Sequence, residues 1–171
     1  LSLPATGMAV ALDVGEFDIH PRDKRPVGQR LALLARRVAY GETALVSEGP
    51  RFAAAEFGAN RVTVRFNAVG GGLRTRDNRG PVGAFTIAGE DRVWHWADAA
   101  ITGPTTVEIW SQQVPAPVAV RHAWLTNAGG ANLTGGTGLP AAPFRTDSWQ
   151  LATADKRFSL PDADGNEDVY K

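Results

Sequence analysis

Met8-Ala-Val-Ala-Leu-Asp-Val14 is a nearly unbroken apolar run, followed after a loop by Val27, Leu31, Leu34, Ala35 and Val38 at helical spacing. A short apolar run bounded by turn signals is the pattern of a strand covered on both faces in a parallel sheet. The helical stripe lies opposite Arg30, Arg36 and Arg37, and Gly41 supplies a stop, so the spacing predicts an amphipathic helix over 27–38 packed on that sheet. Parallel strands need helices on both faces, and no later stretch repeats the strand-helix pattern. Residues 1–42 are therefore expected to be the last βα unit of an α/β domain, completed by an upstream segment of the same polypeptide. The opening residue Leu1, with Met8 as the one methionine, fits that expectation.

From about Thr43 the pattern changes to short alternating runs separated by Gly, Pro and Asn, as in an antiparallel sandwich. Val62, Val64 and Phe66 alternate with Thr63 and Arg65; Val107 and Ile109 flank Glu108; Val118, Val120, His122 and Trp124 alternate with Ala119, Arg121 and Ala123. About seven such runs are expected between Thr43 and Leu125. Residues 126–144 hold too much Gly and Pro for regular structure and read as a long loop, and loops of that length are functional or disordered. With the acidic stretch Asp162-Ala-Asp-Gly-Asn-Glu-Asp168, whose spacing does not match a Ca²⁺ loop, residues 126–171 read as a loop and solvated tail returning toward the α/β part.

Composition narrows the function classes. Eighteen basic residues balance eighteen acidic ones, so no global field attracts nucleic acid or an anionic membrane. Neither partner is expected. No run approaches the roughly 18 apolar residues of a membrane span. Cysteine is absent, which removes disulfides, thiolate metal sites and thiol nucleophiles.

Chemistry is concentrated in Gly15-Glu-Phe-Asp-Ile-His-Pro21, which follows the predicted strand. Ligands of open α/β sheets bind at the carboxyl ends of strands, where a histidine faces a cleft and serves as general base and acid. Asp18 is the nearest carboxylate to orient His20; Asp13 and Glu16 are alternatives, and a backbone carbonyl is another. A loop histidine beside an aspartate is, taken by itself, more often a surface pair. His95 lies between Trp94 and Trp96 and His122 shares a face with Val120 and Trp124, so a sandwich role is expected for His95 and a satisfied core position for His122.

Several motifs in one order carry more. Thr6-Gly-Met-Ala-Val-Ala-Leu-Asp-Val-Gly15, Asp18-Ile-His-Pro-Arg-Asp-Lys24 and Val27-Gly-Gln-Arg-Leu-Ala-Leu33 resemble the last block of the bacterial sialate O-acetylesterases, members of the SGNH-hydrolase superfamily. Trp96-Ala-Asp-Ala-Ala-Ile101, Val120-Arg-His-Ala-Trp124, Asn132-Leu133 and Gly138-Leu-Pro-Ala-Ala-Pro-Phe-Arg-Thr-Asp147 are similar to that family's C-terminal segment. The resemblance implies the last strand and helix of an SGNH three-layer α/β sandwich followed by an all-β sandwich. It implies hydrolysis of acetyl esters on sugars, periplasmic or extracellular, with no metal or organic cofactor. In that family a serine near the N-terminus attacks the acetyl carbonyl, and by resemblance His20 activates it. None of Ser2, Ser47, Ser111, Ser148 and Ser159 stands in a Gly-Asp-Ser or Gly-x-Ser-x-Gly setting, so the nucleophile is expected on the upstream segment. The superfamily places its aspartate three residues before the histidine, where this chain has Phe17; Asp18 is two before.

The rival class is a non-catalytic carbohydrate-binding sandwich, because indoles stack on sugar rings. Trp94, Trp96, Trp110 and Trp124 are expected inside strands and hence in the core, with Trp149 outside that pattern. Arg145 is expected either to border the active cleft or to pair with Asp147 and fasten the two parts together.

Overall fold

A computed structural model describes residues 3–16, 20–78, 80–151 and 154. Among these residues ten strands, all paired antiparallel, surround the main core. The first sheet has the order β1 (Arg51–Phe57), β2 (Val62–Asn67), β7 (Thr106–Trp110), β6 (Asp98–Gly103). The second has the order β10 (Phe144–Arg145), β8 (Ala119–His122), β4 (Phe85–Ala88), β5 (His95–Trp96). A short ladder of β3 (Leu73–Thr75) with β9 (Leu133–Gly135) stands beside them.

The alternation read from the sequence sets the inner faces. Val62, Val64, Phe66, Val107 and Ile109 of the first sheet meet Phe85, Ile87, Val120 and Phe144 of the second, all buried in one cluster. Burial of each large side chain is worth roughly 1.5–3 kcal/mol, so this cluster is the principal source of the sandwich's stability.

The Gly-rich stretch after Leu125 is not simply a loop. It contributes β9 and β10, and Leu133, Thr134 and Phe144 are buried. Glycine is what permits this: a Cβ on Gly135 would lie 2.6 Å from the Val69 carbonyl oxygen, and one on Gly136 would lie 2.2 Å from that of Gly70. The segment is threaded against other backbone, where a side chain has no room.

The amino-terminal region departs from expectation more. Met8–Val14 forms no strand: it has no regular structure up to Ala11 and then turns, with the Val14 N–H donating to the Ala11 carbonyl. A parallel strand needs neighbours for its backbone groups, and no described strand lies alongside. Helix α1 spans Arg25–Val38, with a proline in its first turn. Its packed face is centred on Arg30 and Leu34, both buried, and Gly7 lies so close that an added Cβ would sit 2.9 Å from Leu34 Cδ2. Arg30, expected on the solvent side, is thus inside, because its charge is met by Asp13. Leu31 and Val38, expected to be covered, are 53% and 38% exposed.

Candidate active site

Asp13 and Arg30 form a paired fork: the two guanidinium nitrogens donate to the two carboxylate oxygens at 2.6 and 2.7 Å, and Arg30 also donates to the Val10 carbonyl at 2.7 Å. Burial alone would raise the Asp13 carboxyl, but the hydrogen bonds and charge of Arg30 outweigh it and hold the pKa below the ordinary carboxylate value. The pair locks the segment before the histidine loop onto the helix that follows it. Leu12, beside Asp13, packs against Ala123, Ala128 and Ala131, so the same segment is seated on the sandwich.

The loop itself is closed by a second clamp. The backbone N–H of Arg22 donates to Glu16 Oε1 at 2.8 Å, and Lys24 Nζ donates to the Pro21 carbonyl at 2.6 Å. Between these fixed points His20 is exposed. Asp18 lies outside the described residues. The alternative carboxylates are both engaged elsewhere, Asp13 with Arg30 and Glu16 with the Arg22 N–H.

Ser47 is enclosed rather than offered to solvent. Its hydroxyl is buried without a hydrogen-bond partner, in a cavity of about 100 Å³ also lined by Val10, Arg30 and Pro140. Ser111 Oγ accepts the Gln113 N–H at 3.4 Å, and Ser148 is exposed. Among the described residues no group of three His, Cys, Asp or Glu side chains is placed to hold a metal ion, and no helix is long and apolar enough to cross a membrane.

The other histidines are resolved clearly. His95 Nδ1 lies 3.1 Å from Gln113 Oε1 on the sandwich surface. His122 is fully buried, 4.5 Å from the Phe85 ring and 6.0 Å from that of Phe144, centroid to centroid. It is a core residue but not a satisfied one, since neither ring nitrogen makes a hydrogen bond. Desolvation lowers its pKa from 6.5 to about 4, while the backbone of Ala84 works weakly the other way without reaching hydrogen-bond geometry.

The tryptophans overturn the core expectation. None of the five is buried: Trp96 is 64% and Trp124 41% exposed, and Trp94, Trp110 and Trp149 are half-buried. Several are held by arginines, with the Arg121 guanidinium 4.0 Å over Trp94 and that of Arg145 5.7 Å over Trp124. Asp147 takes Arg121 as a fork at 2.8 Å through both nitrogens, and Arg145 donates to the backbone carbonyls of Asp147 and Trp149. Arg121 hydrogen bonds, opposing burial, then the charges of Arg121 and Arg145 combine to hold the Asp147 carboxyl low. This network fastens residues 144–149 to β8 within the sandwich.

The fold has a counterpart of defined class. A carbohydrate acetylesterase from Xanthomonas citri, known as a crystal structure, superposes with a TM-score of 0.81 and 49% identity over 86% of this chain and 34% of that one. The human and mouse sialate O-acetylesterases are each 53% identical over 53 residues, 28% of this chain and 10% of theirs. The chain is sialate O-acetylesterase-like, and it spans about a third of the solved acetylesterase and a tenth of these curated relatives. No family model matches it.

Proposed function

We propose that this chain supplies the catalytic histidine and the adjoining β-sandwich of a carbohydrate O-acetylesterase, whose serine nucleophile is carried by another segment of the same protein. The observation that carries the reading is the 49% identity, over 86% of the chain, to a carbohydrate acetylesterase of the same fold. The site geometry is compatible with it: an exposed His20 on a loop clamped at both ends is a base that a second segment can approach. The uncovered apolar stripe of α1, with Leu31 and Val38 and the neighbouring Met8 at 57% exposure, is the face that segment would cover.

In this mechanism His20 takes the serine proton as the hydroxyl oxygen attacks the acetyl carbonyl. An oxyanion hole on the other segment holds the negative charge of the tetrahedral intermediate. Collapse breaks the ester bond, and His20 returns its proton to the leaving sugar oxygen. Water, activated by the same imidazole, then releases acetate and restores the serine. Asp13 and Glu16 being engaged, Asp18 is the proposed partner of the second imidazole nitrogen, fixing its tautomer. The sandwich and the Arg30–Asp13 fork position the loop and take no part in proton transfer. An acetylated glycan outside the cytoplasm, in the periplasm or extracellular space, is the proposed substrate.

The test is covalent. A fluorophosphonate should inactivate acetate release by the complete protein and label a serine outside these 171 residues. Labelling of Ser47 or Ser148, or acetate release unaffected by the reagent, would refute the assignment.

A further inference from the structure

Strand β6 is an edge of the first sheet, and its alternation sends Ala99 inward and Asp98 and Ala100 outward. On β7 the inward residues are Val107 and Ile109, so Trp110 points outward as well, directly opposite Asp98 in the ladder. Cross-strand partners of this kind stand about 5 Å apart at Cβ, which puts the carboxylate beside the indole. The small Ala100 next to them leaves the surface open.

The edge is not bare. The Val82 N–H donates to the Ala99 carbonyl at 3.2 Å, which lays residues 80–82 along β6 as a rim. Floor, indole and rim line an open surface groove of about 530 Å³. Arg74 and Asn78 also line it. Three of its polar side chains, those of Arg74, Asn78 and Asp98, make no hydrogen bond or ion pair among the described residues. Arg61 and Arg65, by contrast, are paired with Glu108 and Glu56.

We infer that this groove is a glycan-binding site, in which a sugar ring lies on Trp110 and its hydroxyls are held by Asp98, Arg74 and Asn78. A pyranose has one face of C–H groups and a rim of hydroxyls that donate and accept. The groove offers a flat aromatic surface, an acceptor carboxylate, a donor guanidinium and an amide that does both. One Arg and one Asp cancel in charge, so a neutral sugar fits better than a phosphate. The choice of a sugar among neutral polyols rests on the esterase reading. Its role is to retain the glycan chain on which acetyl groups are carried.

Isothermal titration of the complete protein with unacetylated, uncharged xylan and xyloglucan oligosaccharides tests the inference. At least one of these probes should bind. Trp110→Ala should weaken binding about tenfold, from loss of stacking, and Asp98→Asn by about as much, from loss of a charged acceptor. Trp96→Ala, which removes the most exposed indole from the other sheet, should leave affinity within about twofold. Failure of every probe to bind, or equal losses in Trp110→Ala and Trp96→Ala, overturns the site. Acetate release by the same protein reads the esterase assignment separately. Binding without release removes the esterase and leaves the groove; release without binding does the reverse.

Discussion

His122 makes this fold sensitive to acid in a way that can be isolated. Its imidazole is fully buried among Phe85 and Phe144 with both nitrogens unpartnered, and burial lowers its pKa from 6.5 to about 4. On acidification the unfolded chain therefore binds the proton first. The stability that depends on neutral His122 is fully present above pH 6.5 and is lost as the pH falls toward 4. Linkage between those two values gives a loss of about 2 kcal/mol at pH 5 and about 3 kcal/mol at pH 4, a large part of a typical domain's stability. His122→Phe keeps an aromatic ring beside Phe85 and Phe144 and removes the titrating group. Urea unfolding of both proteins at pH 8, 6, 5 and 4 separates this effect from acid losses at Asp13 and Asp147, which the two share. The stability difference should grow in favour of His122→Phe by about 2 kcal/mol between pH 8 and pH 5. A difference that stays constant with pH would refute the reasoning.

Other consequences follow from single contacts. Arg30→Ala leaves the Asp13 carboxylate nearly buried and unpaired, and should cost about 3 kcal/mol in urea unfolding, more than Arg65→Ala at an exposed ion pair. Gly49→Ala puts a Cβ 2.0 Å from the Pro140 carbonyl oxygen, so it should displace residues 139–142 and lower stability by about 2 kcal/mol in a thermal melt. Asp147→Ala frees Arg121 and Arg145 together, and amide exchange should quicken in β10 and at Thr146 while β2 and β7 stay protected.

Where alternation is governed by burial, the sequence was a good guide. Val62, Val64, Phe66, Val107 and Ile109 lie inward as their spacing predicts, and between Arg51 and His122 the chain forms eight strands where about seven runs were counted. The same period cannot say which face of a mixed strand is wet. Trp110 follows Ile109, and once the isoleucine points inward the indole must point out; the neighbouring Asp98 on β6 was the available signal. The strands β9 and β10 escaped because glycine and proline there serve close backbone passage, which only the folded neighbouring segments reveal. The apolar run at 8–14 and the stripe of α1 were read for a sheet with neighbours that the described residues do not supply. Arg30 shows the cost of treating charge as a marker of solvent: its partner Asp13 lies 17 positions away in sequence. His20 carries no local pattern stronger than a surface pair, so its role rests on the ordered motifs around it.

The central claim is that His20 is the base of an acetylesterase. Acetate release from an acetylated glycan should be measured with the complete protein and with His20→Ala, with circular dichroism to establish that both are folded. Turnover should fall by about a thousandfold or more, because the serine loses its proton acceptor. A folded His20→Ala protein that releases acetate at the original rate would contradict the account.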